Sequence, residues 1–351
     1  MIPKPPFASD LTLEQERAVF ESLKPRLLDV WANINGLEDS HCTAVVVPSL
    51  TLDQDELRKL EGVSFYEERL LFLLIRLRNP RAHVVYVTSQ PLHPVVLEYY
   101  LHLLAGVPAS HARARLTMLC AFDASPRPLT QKILERPRLI QRIRNAMPDP
   151  SRAFLTVFNS TPLERKLAVL LGIPLNGLDP DQAYFGTKSG SRRVFREAGV
   201  PLPEGFEDLR DERDVEYALA ELRHRRPGVR RAVVKLNDSF SGEGNAVFTY
   251  PPGGEHAEIG PALSGIETAV PTETADHYFE KFRRMGGIVE EFIEAPEKTS
   301  PSAQYRTSPR GEVVAISTHD QILGGRSGQI YLGGSFPARD EYRVAITEMG
   351  R

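Results

Sequence analysis

The stretch VVKLNDSFSGEGNAV, Val233 to Val247, decides how this chain is read. A β-like run ends in Lys235, passes through a turn holding Gly242 and Gly244, and resumes as a second β-like run from Asn245 to Tyr250. That order excludes a Walker loop, where the lysine follows the glycines and opens a helix. In a strand-loop-strand hairpin the glycines let backbone N–H groups approach an anion closely. Lys235 shares a strand face with Val233, so its ammonium points into the same space. A surface hairpin with one solvated lysine accounts for these residues equally well.

Two further pieces bear on the choice. Lys188 stands just before a helix expected over Ser189 to Ala198, where unpaired N–H groups and the helix dipole favour a phosphate, although lysines at helix starts are usually only solvated. Tertiary folding that brought it beside Lys235 would let the pair flank one polyphosphate. The segment GIVEEFIEAPE, Gly287 to Glu297, combines the apolar Ile288, Val289, Phe292 and Ile293 with Glu290, Glu291 and Glu297. Buried carboxylates need donors, and the amino group of a base and the hydroxyls of a ribose are donors. The competing reading has these glutamates facing water and pairing with Arg283 or Arg284.

Outward from these motifs, the chain of 351 residues is long enough for two or three domains. Its hydrophobic fraction of 41%, charged fraction of 25% and formal charge of -3 are those of an ordinary globular protein and give no electrostatic argument for nucleic acid. Met1 to Asp10 lacks the apolar segment of a signal peptide, and Leu70 to Ile75 is far too short to span a bilayer, so a cytoplasmic protein without membrane contact is expected. Cys42 and Cys120 are expected as reduced thiols. The nine histidines form no HExxH or His/Cys cluster, which argues against zinc.

Periodicity predicts strands at Thr43–Val47, His83–Thr88, Leu116–Phe122 and Phe154–Phe158, alternating with helices at Tyr66–Leu77, Pro94–Leu104, Gln131–Arg144 and Pro162–Leu171. The alternation implies βαβ units and a parallel sheet. The basic run Arg136 to Arg144 reads as the solvated face of its helix, and no phosphate loop is visible in this half. A Gly/Pro/Asp-rich loop, Gly172 to Gly186, is the expected boundary. Beyond it come a helix at Asp211–Arg225, a strand at Ala232–Leu236, a long loop from Pro251 to Thr274 and a helix at Asp276–Arg284.

Taken together, these segments resemble the ATP-grasp superfamily, and within it the pheganomycin-type peptide ligases. The resemblance rests on GTKSGSRRVFREAGVPLPEGFEDL (186–209), VVKLNDSFSGEGNAVF (233–248), VEEFIEAPEKTSPSAQYR (289–306) and STHDQILGGRSGQIYLGGSFPA (317–338), with a more diffuse likeness in TPLERKLAVLLGIPL (161–175). It implies a pre-ATP-grasp α/β domain over 1–185 and an ATP-grasp domain over 186–351. Lys188 and Lys235 would then hold ATP phosphates, and Ser239, Phe240, Ser241, Gly242, Glu243 and Gly244 would form the loop that closes over them. Glu290 would accept from the adenine amino group, with the backbone near Phe292 and Ile293 beside the base and Glu297 on the ribose. Arg306 would stabilise charge in catalysis, with His319 and Asp320 nearby in less definite roles.

The implied reaction joins a small-molecule carboxylate to an amine or peptide through an acyl phosphate, with ATP and Mg2+. Positioning and charge neutralisation carry such chemistry without a protein nucleophile. The family pattern departs after the Glu297 region: no Glu-x-Asn occurs between Glu297 and Arg351, so no metal ligand is assigned. The chain is expected to be on the order of a hundred residues short of the usual architecture. Three readings stand at this point: a ligase represented by a shortened chain, an ATP-binding protein without catalysis, and an interaction protein without nucleotide. Oligomeric state is not legible.

Overall fold

A computed structural model describes residues 11–35, 41–52, 57, 62–239, 242–252, 256–295, 297–325 and 328–351. The chain divides into two compact units, Met1–Ala183 and Tyr184–Arg351.

The first unit opens with a helix that the sequence reading did not assign, α1 (Leu13–Asn35). Its signal is present in the sequence: Thr12 and Gln15 form a reciprocal capping box, Thr12 N–H donating to Gln15 Oε1 at 2.9 Å and Gln15 N–H to Thr12 Oγ1 at 3.2 Å. Four parallel strands follow, β1 (Cys42–Val47), β2 (Ala82–Thr88), β3 (Leu116–Cys120) and β4 (Ala153–Val157), and the two-residue β5 (Leu175–Asn176) completes the sheet in the order β3-β2-β1-β4-β5. Strand residues alternate between two cores: Val45, Val47, Val85 and Leu155 face one, Ala44, Val46, Val84 and Phe154 the other. Apolar residues on both faces explain the near-continuous hydrophobic runs of these strands.

Three expectations in this unit need correction. The segment read as an α-helix over Tyr66–Leu77 is a 3₁₀ helix, Val63–Arg78, and its buried Leu71, Leu74 and Leu77 recur every third residue, which suits three residues per turn. The helix expected over Gln131–Arg144 is two, α4 (Leu129–Leu134) and α5 (Pro137–Asn145), after α2 (Pro94–His102) and α3 (Ala109–Arg113). Pro137 has no N–H to donate and pushes Arg136 out of helical geometry, at φ -124° and ψ 80°. The expected boundary loop holds β5 and a 3₁₀ turn, Pro180–Gly186. By contrast α6 (Pro162–Leu171) matches its reading, with Thr161 and Glu164 forming a capping box.

The second unit carries α7 (Lys188–Glu197), β6 (Gly205–Leu209), α8 (Glu212–Arg225), β7 (Arg231–Leu236), β8 (Asn245–Thr249), α9 (His256–Ala262), β9 (Glu267–Thr268), α10 (Ala275–Met285) and β10 (Gly287–Glu291). Its five-stranded antiparallel sheet runs β6-β10-β7-β8-β9. Val234, Leu236, Ala246, Phe248 and Val289 turn one face onto α8 and α10. β6 was not anticipated because it is a short edge strand bearing two acidic residues, and the expected loop over 251–274 contains α9 and β9. A three-stranded sheet of β11 (Pro301–Thr307), β12 (Val313–Gly324) and β13 (Ile330–Ser335) follows, then α11 (Asp340–Gly350).

Candidate functional site

The face of the five-stranded sheet away from α8 and α10 is built by alternation. Ile288 lies opposite Lys235 and Glu290 opposite Val233, while Val247 and Asn245 oppose Val233 and Lys235 on the other side. One face therefore presents a small buried cluster of Val233, Val247 and Phe292 with Glu290 at its edge, and one step along the strands Lys235 and Asn245 beside Ile288. Such a face suits a flat base beside a charged chain.

Lys188 reaches this face because Asn237 ties the start of α7 to the end of β7. Ser189 N–H donates to Asn237 Oδ1 at 3.0 Å, Lys188 N–H to the Asn237 carbonyl at 3.2 Å, and Asn237 Nδ2 donates to the Met285 carbonyl at 3.0 Å. Thr187 caps α7, accepting from Gly190 N–H at 3.0 Å. A Cβ on Gly190 would collide with the Tyr184 carbonyl oxygen, so glycine is what lets the helix start sit there. Sequence spacing could not show that Lys188 and Lys235 are neighbours. In the structure burial, and then the charge of Lys235, lower the Lys188 pKa, with Asp238 and Glu290 opposing. Lys188, half-buried and with its charge disfavoured by Lys235, is suited to take an anion as partner.

Glu290 is buried, and its carboxylate is held from two sides: Arg192 Nη1 donates to Oε1 at 2.6 Å, and Lys235 Nζ donates to Oε2. Burial by itself would raise its pKa, but Lys235 and Arg192 hold it below the usual carboxylate range. The alternative of a solvated glutamate pairing with Arg283 or Arg284 is therefore overturned for Glu290; Arg283 pairs with Glu212. Glu291 instead accepts from Glu204 N–H at 3.1 Å.

The hairpin between β7 and β8 places Ser239 and Gly244 in close approach, and the buried Ser239 Oγ and Asn245 Oδ1 have no hydrogen-bond partner among the described residues. Unpartnered polar atoms beside two lysines fit a polar ligand lying over this loop. Gly242 adopts φ 88°, a left-handed conformation that favours glycine. Phe240 and Ser241 lie outside the described residues. Phe292 is 8% exposed, with the Arg231 guanidinium 4.1 Å and the Lys298 ammonium 4.4 Å from its ring centroid, whereas Ile293 and Glu297 are exposed beyond the end of β10.

The remaining candidates sit on the three-stranded sheet. Arg306 is exposed on β11, and His319 and Asp320 are on β12 opposite Ser302 and Pro301. Asp320 has a structural task that the sequence did not reveal: Oδ2 accepts from Arg339 N–H at 2.9 Å and Oδ1 from the Tyr342 hydroxyl, fixing the start of α11. Among the described residues no group of three His, Cys, Asp or Glu side chains could hold a metal ion, and no helix is long and apolar enough to cross a membrane.

Residues 181–250, which contain both lysines and the hairpin, match the family model described as ATP-grasp, IQCH-like. All but residues 181–183 of that match lie in the second unit. Among individual proteins, the chain is 29% identical over 320 residues to the L-propargylglycine--L-glutamate ligase of Streptantibioticus cattleyicolor, covering 90% of this chain and 65% of that protein. It is 27% identical over 366 residues to IQ motif-containing protein H of Danio rerio, covering 91% of this chain and 34% of that one. The chain so spans just under two thirds of the first relative and about a third of the second. A solved ADP complex of N5-carboxyaminoimidazole ribonucleotide synthetase superposes with a TM-score of 0.49 at 12% identity, over 90% of this chain and 63% of that chain.

Proposed function

We propose that the chain binds ATP beside the face of its five-stranded sheet that carries Lys235 and Glu290 and serves an ATP-dependent carboxylate-amine ligase. The observation that carries this reading is the pairing of Lys188 with Lys235 beside an apolar cluster of Val233, Val247 and Phe292. The lysines would hold the phosphates, the hairpin from Ser239 to Gly244 would cover them, and the base would lie on the apolar cluster, with Glu290 toward its amino group and Glu297 toward the ribose. The ligase step is supported by the likeness to a protein that is by name a ligase of L-propargylglycine and L-glutamate.

In that reaction a carboxylate oxygen attacks the terminal phosphorus, the bond to ADP breaks and an acyl phosphate forms. An amine nitrogen then attacks the acyl carbon, phosphate leaves with the bonding electrons, and the amine proton passes to solvent. Lys188 and Lys235 would offset the charge that develops on the transferred group, and Arg306 is proposed to assist. Mg2+, when bound, would offset negative charge on the phosphates, and no described residue is assigned to hold it. The substrates are proposed to be a small amino-acid-like carboxylate and an amine or peptide, in the cytoplasm.

The test is to incubate the purified chain with ATP, Mg2+ and a panel of amino-acid pairs, following phosphate release and amide formation by mass spectrometry. Phosphate and amide appearing in equal amounts, and lost in Lys235→Ala, is the expected result. Stabilisation by ATP without any turnover would leave nucleotide binding and remove ligation. No ATP-induced stabilisation at all would remove both.

A further inference from the structure

The first unit contains a cavity of 380 Å³ that the nucleotide reading does not use. It lies beyond the carboxyl ends of β1, β2 and β3, the edge where open parallel sheets take ligands. Leu50, Phe65, Leu92 and Leu129 give it apolar walls, and the 3₁₀ helix brings Glu67 and Glu68 to it.

Its polar floor is a chain of hydrogen bonds. Lys132 Nζ donates to Ser89 Oγ at 2.8 Å, the Ser89 hydroxyl donates to Glu67 Oε1 at 2.5 Å, and Ser89 N–H donates to Glu67 Oε2 at 2.5 Å. The other two Lys132 protons go to the carbonyls of Asp123 at 2.9 Å and Ser125 at 2.7 Å. Lys132, 2% exposed, therefore has no donor left for a ligand. Arg127, the other cation of the lining, donates to Glu135, Asp123 and the Ser125 hydroxyl. An anion entering the cavity would find both cations committed elsewhere.

The open capacity is that of acceptors. Each Glu67 oxygen accepts one of these bonds and keeps a second acceptor site, and Glu68 makes no ion pair among the described residues. Burial raises the Glu67 pKa despite Ser89 and Lys132, so its negative charge is under-compensated. Carboxylate acceptors at the base of an apolar cavity select for a donor carrying positive charge.

We propose that this cavity binds a ligand with a protonated amine head and an apolar body, the amine held by Glu67 and Glu68 and the body lying against Leu50, Phe65 and Leu92. The inference does not rest on the nucleotide reading. Its test is isothermal titration of the full chain with phenethylamine, N-acetylphenethylamine and 3-phenylpropionate, repeated on Glu67→Gln and on Leu92→Trp, which fills the cavity. Phenethylamine is expected to bind saturably in the millimolar range or tighter, both analogues at least tenfold more weakly, and each variant to lose at least tenfold with an unchanged circular dichroism melt. Should Glu67→Gln not fold, Leu92→Trp decides. The proposal is overturned if the amine shows no saturable binding, if the acid binds as well as the amine, or if Leu92→Trp binds the amine as wild type does.

Discussion

Lys188 is charged where neither its burial nor its neighbour favours charge, and the sign of two effects follows. In the folded chain it gives up its proton at lower pH than in the unfolded chain, whose lysines titrate near 10.5. Within that alkaline window the unfolded chain holds the extra proton, so raising the pH favours folding through this group. Lys188→Met is therefore expected to raise the melting temperature of the ligand-free protein. The same substitution should weaken ATP binding by about ten- to a hundredfold, the value of one hydrogen bond to a charged group at about 1.5–3 kcal/mol. Calorimetry with and without ATP checks both signs, and a variant less stable without ATP would show that Lys188 is a structural cation. Glu290 behaves oppositely. Its removal strands Lys235 and leaves Arg192 with Glu207 and the Pro203 carbonyl alone, so Glu290→Ala should cost about 3 kcal/mol in urea unfolding, the low end for a broken buried pair.

At the scale of elements, the position of α7 matters more than its sequence. The helix start is fixed by Asn237 and by the absence of a side chain at Gly190, so Gly190→Ala must displace it from the Tyr184 carbonyl. The expected cost is about 1–3 kcal/mol of overpacking, accompanied by weaker ATP binding, because Lys188 moves with its helix; wild-type affinity in a folded Gly190→Ala would refute this. Such dependence explains which elements were legible. β1, β2, β4, β7 and α6 carry their signals locally, in apolar runs or in the Thr161–Glu164 capping box. β6 and α9 do not: one is an acidic edge strand held by β10, the other a helix with Pro261 inside it. The same holds within the site. Lys235 and the hairpin glycines are visible in one fifteen-residue stretch. The Asn237 tether and the Arg192 contact with Glu290 join residues distant in sequence, and no local pattern announces them.

On the scale of the whole molecule, each unit closes its own hydrophobic interior. The parallel sheet is packed on both faces within the first, and the antiparallel sheet is packed against α8 and α10 within the second. Units with separate cores can unfold separately. The nucleotide reading assigns every ATP contact to the second unit and the amine reading assigns its cavity to the first, so the two ligands should report on different transitions. ATP at a hundred times its dissociation constant stabilises by about 2.7 kcal/mol, which for a unit of this size corresponds to a rise of about 5–11 °C. Differential scanning calorimetry is expected to show two transitions, with ATP raising one and phenethylamine the other. Both ligands raising one shared transition would mean that the chain unfolds as a single cooperative body, and ligands moving the same one of two transitions would place both sites in one unit.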